Sequence, residues 1–378
     1  MNSIIHAYSD PIYNHNSQTN MSVEGRVKQI VAVLVVAVVF APPAAVSGEL
    51  VVGFYKNTCP KAEALVQQAV SRAYLTNPGI APGIIRLLYH DCFVEGCDAS
   101  VLLDVSADGS ALVEKDANIS QSLRGFEAID FAKASVEEEC PGVVSCSDIL
   151  NFAARDSVEL TGGITWDVPA GRRDTRISIK DNIHGNFPGI LSYKGGVELN
   201  GLLKSFTKKG LTPEDMAVLS GAHSLGRSHC LAFIDRLYED HYSPDSPPLT
   251  DPTMSEAYAH LLRRICRPGF LDNNTTTFLD MITPNTLDNK FYLGLLNNLG
   301  LLMTDQALTQ RRNLMAVVKK SASNETWWRK EFASAMVKMS KIEVLEGTLG
   351  EIRTNCRFPN GLHTIQRNQI DDSNLQIS

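Results

Sequence analysis

The sequence contains 378 residues, of which 44% are hydrophobic and 20% are charged. A chain of this length and composition forms one large domain or two fused subdomains around an ample core. Its formal net charge of −7 excludes the basic footprint of a nucleic-acid-binding protein, and the charge by itself names no substrate.

Residues 1–48 are predicted to be a leader rather than part of the fold. Two basic residues precede an apolar run at 30–40, and small residues follow that run. This order is typical of a secretory signal peptide cleaved before Glu49, whereas the run is short for a membrane span. Because the run begins far from the chain start, we interpret Met21 as the initiator and residues 1–20 as an upstream extension.

The rest of the chain is predicted to be mainly α-helical, with one domain at 49–357 and a polar tail at 358–378. Apolar side chains recur at helical spacing in six segments. These segments are residues 61–74, 126–139, 147–161, 192–209, 213–220 and 327–342. Short strands are expected near residues 165–169 and 176–179.

The stretch 86–100, RLLYHDCFVEGCDAS, concentrates chemically active side chains. Arg86 and His90 are four residues apart in an apolar run, so a helix would present a cation and a titratable base on one face. Taken alone, such a pair is more often an ordinary surface pair.

Oxygen-bearing side chains follow directly: Asp91 precedes Cys92, and Asp98 and Ser100 come just after Cys97. Hard oxygen ligands at alternating positions on a bend suit calcium, and a disulfide could close the bend. The alternative for acidic residues near a glycine is a solvated loop.

A second candidate centre is His223 in the run VLSGAHSLGRSHC, which follows a helix with a predicted Thr212 cap and Pro213 at its first position. A lone histidine in this setting is more often a core residue bonded to a carbonyl group.

Together these motifs resemble the secretory plant peroxidases of class III. The stretch 86–100 is similar to the distal haem side of that family, and the run around His223 is similar to its proximal haem-ligand motif. Further matches cover nearly the whole mature chain. They include Phe54-Tyr55, Arg124-Gly125-Phe126, and residues 144–148, 171–174 and 235–238.

The resemblance implies a haem-peroxidase fold, with distal and proximal helical subdomains enclosing one non-covalent haem b. The absence of a Cys-x-x-Cys-His motif agrees with non-covalent binding. The implied activity is reduction of hydrogen peroxide with one-electron oxidation of phenolic donors. Small neighbours such as Gly221 would let the flat macrocycle approach the backbone near His223.

The resemblance also assigns roles to single residues. His90 would be the distal acid and base, Arg86 would stabilise the transition state, and His223 would be the axial ligand of the haem iron. Asp305 would accept a hydrogen bond from the other ring nitrogen of His223; without the resemblance, it is equally well a helix cap. Pro188 would lie near the donor site.

Two calcium ions are implied, each with a set of oxygen ligands. The first set is Asp91, Val94, Gly96, Asp98 and Ser100, and the second set is Ser224, Asp280, Thr283, Thr286 and Asp288. The alternative for the second set is a turn with capping Asp and Thr side chains.

Eight cysteines that follow a predicted signal peptide indicate four disulfides, but the sequence alone leaves 105 pairings open. The resemblance implies four particular pairs, Cys59–Cys140, Cys92–Cys97, Cys146–Cys356 and Cys230–Cys266. It also implies a buried ion pair between Asp148 and Arg172.

Three positions depart from the family pattern. Tyr89 replaces the usual phenylalanine before His-Asp-Cys, and its phenol could bond to a distal water or be oxidised itself. Ser120 occupies the place of an asparagine that orients the distal histidine. Because its side chain is shorter, we expect it to orient His90 less well. Ile190 replaces the second proline at the donor-site rim.

The expected protein is a monomer without a membrane span, secreted to the cell wall, with the vacuole as the alternative because of its polar tail. N-glycans are possible at Asn118, at Asn273 or Asn274, and at Asn324. Two rival functions remain from other classes. One is a secreted binding protein, with or without haem, in which Ser120 and Tyr89 have abolished turnover. The other is a structural cell-wall protein that is stabilised by calcium and has no cofactor.

Overall fold

The computed structural model describes residues 49–187, 199–269 and 274–362. The predicted leader, Pro188, Ile190, Asn273 and most of the predicted tail therefore lie outside the described residues. Within these ranges the protein is mainly α-helical, as predicted, with only a few two- and three-residue strands.

The first half of the domain contains four α-helices. They are α1 (Ala62–Thr76), α2 (Ile80–Val94), α3 (Phe126–Glu139) and α4 (Cys146–Leu160). Helix α1 packs on α3 and α4, and α2 packs on α4. Eleven of the fifteen residues of α2 are buried, which makes it the central helix of this half.

The second half contains seven described α-helices. They are α5 (Leu199–Lys208), α6 (Pro213–Leu219), α7 (Glu256–Ile265), α8 (Lys290–Leu296), α9 (Met303–Gln306), α10 (Arg312–Ser323) and α11 (Glu325–Met339). Helix α6 packs on α10 and α11, and α8 packs on α10. One apolar core joins α5, α6, α8, α10 and α11 to the helices of the first half, whereas α7 packs in a separate apolar cluster with the segment 230–238.

Short 3-10 helices connect the longer elements. They are Ser100–Leu102, Glu114–Asp116, Lys180–Ile183, Ser220–Ser224, Cys230–Ala232, Ile234–Arg236 and Ala307–Thr309.

Two antiparallel pairs of short strands complete the described structure. Strand β1 (Val51–Val52) pairs with β2 (Pro169–Ala170), and β3 (Arg227–His229) pairs with β4 (Thr276–Phe278). In the second pair Arg227 lies opposite Phe278, so the chain just before β3 faces the chain just after β4.

The predicted helices agree with the observed ones to within a few residues where the structure describes them, and α3 has the predicted bounds; residues 192–198 of the predicted helix 192–209 lie outside the described residues. The Thr212 cap is confirmed: its hydroxyl accepts from the Asp215 amide at 3.0 Å, and the Asp215 carboxylate accepts from the Thr212 amide at 2.9 Å. Four helices, α7 to α10, were not anticipated from the sequence.

The strand predicted at 176–179 is wrong. The Arg176 carbonyl accepts from the Ala107 amide at 2.9 Å, and the Ser178 amide donates to the Ser106 hydroxyl at 3.0 Å. This extended segment therefore bonds to a loop instead of a second strand. The strand expected at 165–169 is reduced to the short β2.

All eight cysteines are paired, and the four disulfides have the pairing that the family resemblance implies. The expected Asp148–Arg172 ion pair is also present, fully buried, with a nitrogen–oxygen distance of 2.7 Å. Tyr55 donates a further hydrogen bond of 2.7 Å to the same carboxylate, so the charged pair is well compensated.

No helix in the described ranges is both long enough and apolar enough to span a bilayer.

Candidate active site

Helix α2 carries the distal pair. His90 is 2% exposed, and Arg86 lies one turn earlier on the same face. Burial, followed by the positive charge of Arg86, lowers the pKa of His90 well below its usual value. A buried imidazole of this kind stays neutral and is able to accept a proton.

A loop after the 3-10 helix Glu114–Asp116 holds Arg86 in place. The guanidinium donates to the Ser122 hydroxyl at 2.9 Å and to the Ile119 carbonyl at 3.0 Å. Gly125, with φ of +100°, lets this loop pass close to α2, because a Cβ there would lie 2.7 Å from Ile84. The guanidinium is therefore fixed on two sides.

Ser120 lies in the same loop and is 4% exposed. Within the described ranges, neither its hydroxyl nor Nδ1 of His90 has a hydrogen-bond partner. The serine therefore does not supply the contact that the asparagine of the family makes. Asn118, two residues earlier, is exposed.

The proximal centre is built by the end of α6. The chain continues from α6 into the 3-10 helix that contains His223, and Nδ1 of His223 lies 2.9 and 3.1 Å from the two carboxylate oxygens of Asp305. Burial alone would lower the pKa of His223, but the charge and hydrogen bond of Asp305 raise it above its usual value.

Arg86 lies close enough to both histidines to influence the pKa of each. The charge of Arg86 acts on the pKa of His223 as well as on that of His90, although the two histidines belong to different halves of the domain. Nδ1 of His223 is engaged by Asp305, and 40% of the His223 side chain is exposed, which leaves Nε2 available to an iron ion. These donors fit an axially ligated haem.

Gly221 also has a packing role that the sequence did not indicate. A Cβ there would lie 2.6 Å from the Tyr292 hydroxyl and 2.8 Å from the Trp328 indole. Packing next to His223 therefore requires a glycine at this position.

The first predicted calcium set converges on the end of α2. Asp91 accepts from the Ala99 amide at 3.0 Å, Asp98 accepts from the Ser100 amide at 3.0 Å, and the buried Ser100 hydroxyl has no hydrogen-bond partner among the described residues. The loop turns at Gly96, while the Val94 carbonyl accepts from Lys209 Nζ at 3.1 Å.

Glu114 lies beside this loop and was not recognised from the sequence as part of it. Burial, followed by the charges of Asp98 and Asp91, raises the pKa of Glu114 well above its usual value. Burial also raises the pKa of Asp98 to about 6 and that of Asp91 well above its usual value. A bound cation would relieve this concentration of buried acid, so the donors fit calcium.

The residues of the second predicted set flank the β3–β4 pair. The antiparallel pairing continues past the strands, where the Leu279 amide donates to the Gly226 carbonyl at 3.2 Å, and the Ser224 hydroxyl is buried without a partner in the described part of the chain. The Thr283 hydroxyl lies 3.1 Å from Asp280 and 2.9 Å from Asp288. Thr286 is exposed, and its described bond is from its amide to the Thr283 carbonyl at 3.1 Å.

Across the described residues, no three His, Cys, Asp or Glu side chains come together as a metal-binding group. Each expected calcium set has only two carboxylates and takes its other oxygens from hydroxyl or backbone groups. With two carboxylates, neither set by itself contains the three His, Cys, Asp or Glu side chains that define such a group.

The distal pocket also contains an aromatic residue that sequence analysis missed. The ring centroid of Phe187 lies 4.6 Å from that of His90 and 5.4 Å from that of Tyr89. The available signal was its position directly before Pro188. Tyr89 packs on Phe93 at 4.3 Å, and burial raises the pKa of its phenol.

A mainly helical fold with a neutral distal histidine, a fixed arginine and a carboxylate-bound proximal histidine defines the class of haem peroxidases. A family model described as peroxidase matches residues 66–324. The chain is 46% identical over 321 residues to peroxidase 1 of Zea mays, covering 84% of this chain and 85% of that protein.

Two further relatives are similar over comparable lengths. Peroxidase 5 of Vitis vinifera is 44% identical over 82% of this chain and 92% of that protein, and cationic peroxidase SPC4 of Sorghum bicolor is 41% identical over 82% of each. The chain therefore belongs to the peroxidase family, among the class III peroxidases of plants. It is an oxidoreductase that acts on hydrogen peroxide.

Proposed function

We propose that this protein is a secreted peroxidase that binds one non-covalent haem b and oxidises small phenolic donors. The main support is the 2.9 Å contact between Nδ1 of His223 and the Asp305 carboxylate. In addition, the charge of Arg86 affects the pKa of both His223 and His90. When bound, haem supplies the ferric iron that accepts peroxide and stores its oxidising equivalents.

His90 moves the proton of peroxide. The neutral imidazole takes a proton from one peroxide oxygen and returns it to the other, which leaves as water. Two phenols then give one electron and one proton each, so that one hydrogen peroxide yields two waters and two phenoxyl radicals. The low pKa of His90 supports this role because it keeps the base neutral.

Arg86 stabilises the negative charge that develops on the departing oxygen. Its guanidinium is preorganised by Ser122 and Ile119 and does not have to move during the reaction.

His223 would hold the iron of the haem through Nε2. Asp305 holds the proton on Nδ1, which leaves the lone pair of Nε2 for iron and makes the imidazole a stronger donor.

We further propose that two calcium ions stabilise the segments next to His90 and His223. The first would be bound by Asp91, Val94, Gly96, Asp98 and Ser100, directly after the distal helix. The second would be bound by Ser224, Asp280, Thr283, Thr286 and Asp288. Buried, unpartnered Ser100 and Ser224 hydroxyls support both sites.

Secretion to the cell wall, a monomeric state and a donor edge near Pro188 complete the proposal. Exposed Asn118, Asn274 and Asn324 are candidate N-glycan sites. Asn324 caps α11 through its side-chain oxygen, 2.9 Å from the Trp327 amide, so a glycan on its nitrogen is compatible with the cap.

The test is an absorption spectrum of the purified mature protein before and after one equivalent of hydrogen peroxide, followed by guaiacol. We expect a Soret band that shifts with peroxide and returns with the donor. A Soret band that ignores peroxide would favour a haem-binding protein without turnover, and absence of the band would favour a structural wall protein.

Removal of calcium tests the metal sites. Prolonged chelation should shift the Soret band and lower activity, because the segment that aims His223 loses its anchor. Calcium content is measured on the same sample. An unchanged spectrum in demonstrably calcium-free protein would exclude the proposed anchoring.

A further inference from the structure

An aromatic ring lies next to the imidazole of His90, whose buried Nδ1 has no partner among the described residues. Phe187 lies against the ring with the centroids 4.6 Å apart and the planes inclined by 45°. Over the described part of the chain, Nδ1 has no hydrogen-bond partner. Packing is therefore the contact that orients this side of the imidazole.

Phe187 is itself held in place by the fold. Its amide donates to the Ile183 carbonyl at 3.3 Å, at the end of the 3-10 helix Lys180–Ile183. The preceding Asn186 accepts from Lys208 Nζ at 3.0 Å, which ties the segment to α5. The Phe187 side chain packs on an apolar cluster formed by Val94, Ala117 and Ile183.

Tyr89 supports Phe187 from the distal helix. The two rings make an edge contact at 5.4 Å, and Tyr89 in turn packs on Phe93 at 4.3 Å. Tilted and edge-on aromatic pairs are favourable contacts, so rotation of either ring is disfavoured. The ring of Phe187 is thus a rigid surface for His90.

We propose that Phe187 is a positioning residue that fixes the orientation of the His90 imidazole in place of a hydrogen bond to Nδ1. The inference rests on the proposed function of His90 as the distal acid and base. A general base works only within reach and in line with the proton it takes, so an imidazole free to rotate loses rate.

The first experiment compares Phe187→Leu with the wild-type holoenzyme by stopped-flow spectroscopy. Leucine keeps the apolar volume and removes the flat ring. We expect the second-order rate constant for peroxide to fall about tenfold, part of the acceleration that a positioned base provides. The rate constant for the subsequent oxidation of guaiacol should not change, whereas general damage to the pocket would lower both.

Two matched variants control for packing. Phe187→Tyr keeps the ring and should retain the wild-type peroxide rate. Phe206→Leu removes a comparable ring that packs on Phe93 at 4.9 Å and is separated from His90 by the rings of Phe93 and Tyr89, so it should leave the rate unchanged. An equal loss in Phe206→Leu would overturn the proposal in favour of a general packing effect.

A second readout does not depend on turnover. Crystal structures should show a single His90 orientation in the wild type and more than one in Phe187→Leu. Adding Ser120→Asn to Phe187→Leu should restore a single orientation and most of the peroxide rate, because the amide oxygen offers Nδ1 an acceptor. A single unchanged orientation in Phe187→Leu would contradict the inference.

The variant His90→Ala distinguishes a failure of the proposed acid–base role of His90 from a failure of the positioning role of Phe187. If this variant keeps the wild-type peroxide rate, the proposed function of His90 fails. If it loses about 10²-fold or more while Phe187→Leu matches the wild type, only the positioning role is rejected.

Discussion

The proton on His90 is decisive for the distal chemistry. Nδ1 is buried without a partner in the described structure, so Nε2 is the nitrogen left to meet peroxide. Nε2 is basic only in the tautomer with hydrogen on Nδ1, and leaving that buried N–H unpaired costs about 1–3 kcal/mol. The reactive tautomer of His90 is therefore penalised in this chain.

Replacing Ser120 with asparagine should remove that penalty. Ser120→Asn is expected to raise the rate constant for peroxide about tenfold, because an amide oxygen that reaches Nδ1 gains on the order of 1 kcal/mol. Stopped-flow measurement against Ser120→Ala is the test, since alanine removes the hydroxyl without adding an acceptor. Equal rates for all three proteins would show that the serine does not slow the reaction.

Asp156 on α4 gives a pH-dependent prediction away from the haem site. Burial, only partly offset by Arg155, raises its pKa to about 6. The folded state then binds a proton more tightly than the unfolded state, so ionised Asp156 destabilises the fold above pH 6. This cost disappears as the pH falls from 6 towards 4.

Asp156→Asn should reveal this cost. Relative to the variant, the wild type should gain up to about 3 kcal/mol of unfolding free energy between pH 7 and pH 4, the equivalent of about two pKa units. Denaturant unfolding of both proteins at each pH measures the difference, in which other titrating groups cancel. A difference independent of pH would mean that Asp156 has an ordinary pKa.

The turn after helix α2 depends on the absence of a side chain at Gly96. Its φ is +114°, and a Cβ there would lie 2.3 Å from the Glu343 carbonyl oxygen. The next residue, Cys97, donates its amide to the Ile342 carbonyl at 2.9 Å. The distal calcium loop and the segment after α11 are thus in direct backbone contact.

Gly96→Ala should therefore be severely destabilising. We expect a loss of about 3 kcal/mol or more, from backbone strain and the clash with residue 343, together with weaker calcium binding. Gly109→Ala is the matched control. Gly109 also has positive φ, +83°, but nothing lies within 4 Å of its Cβ, so a loss of only about 1–2 kcal/mol is expected. Thermal unfolding with and without calcium measures both, and equal losses would exclude the clash.

Disulfides connect the whole molecule over very different distances along the chain. Cys146–Cys356 joins residues 210 apart, Cys230–Cys266 joins residues 36 apart, and Cys92–Cys97 joins residues 5 apart. A cross-link restricts the unfolded chain more strongly when the loop that it closes is longer.

Removing each bridge by paired Cys→Ala substitution should destabilise the protein in that order. The chain-entropy relation gives about 5, 4 and 2 kcal/mol respectively. Denaturant unfolding at saturating calcium measures the three losses. A larger loss for Cys92–Cys97 than for Cys146–Cys356 would show that the calcium loop, rather than chain entropy, dominates.

Much of this molecule is encoded locally. The period of apolar residues gave α3 its bounds, and Thr212, Pro213 and Asp215 formed the expected helix start. These features depend on side chains within one or two helical turns, so they can be recognised from neighbouring residues alone. The short helices α8 and α9 carry too few turns for a clear period.

Long-range features were decided by the tertiary structure. The residues alone left 105 disulfide pairings open, and only a family resemblance selected the pairing that the fold contains. The contact of Phe187 with His90 joins segments about one hundred residues apart, and no described segment around His90 offers Nδ1 a hydrogen-bond partner.

The sequence by itself determined the helical class, the Arg86–His90 face, the number of disulfides and the candidate oxygen ligands, because each depends on residue type and short spacing. Tertiary structure decided which of these groups meet: Asp305 with His223, and Phe187 with His90. The physical reason is that such contacts are set by how the two halves bury one common core, and no short stretch of sequence contains that information.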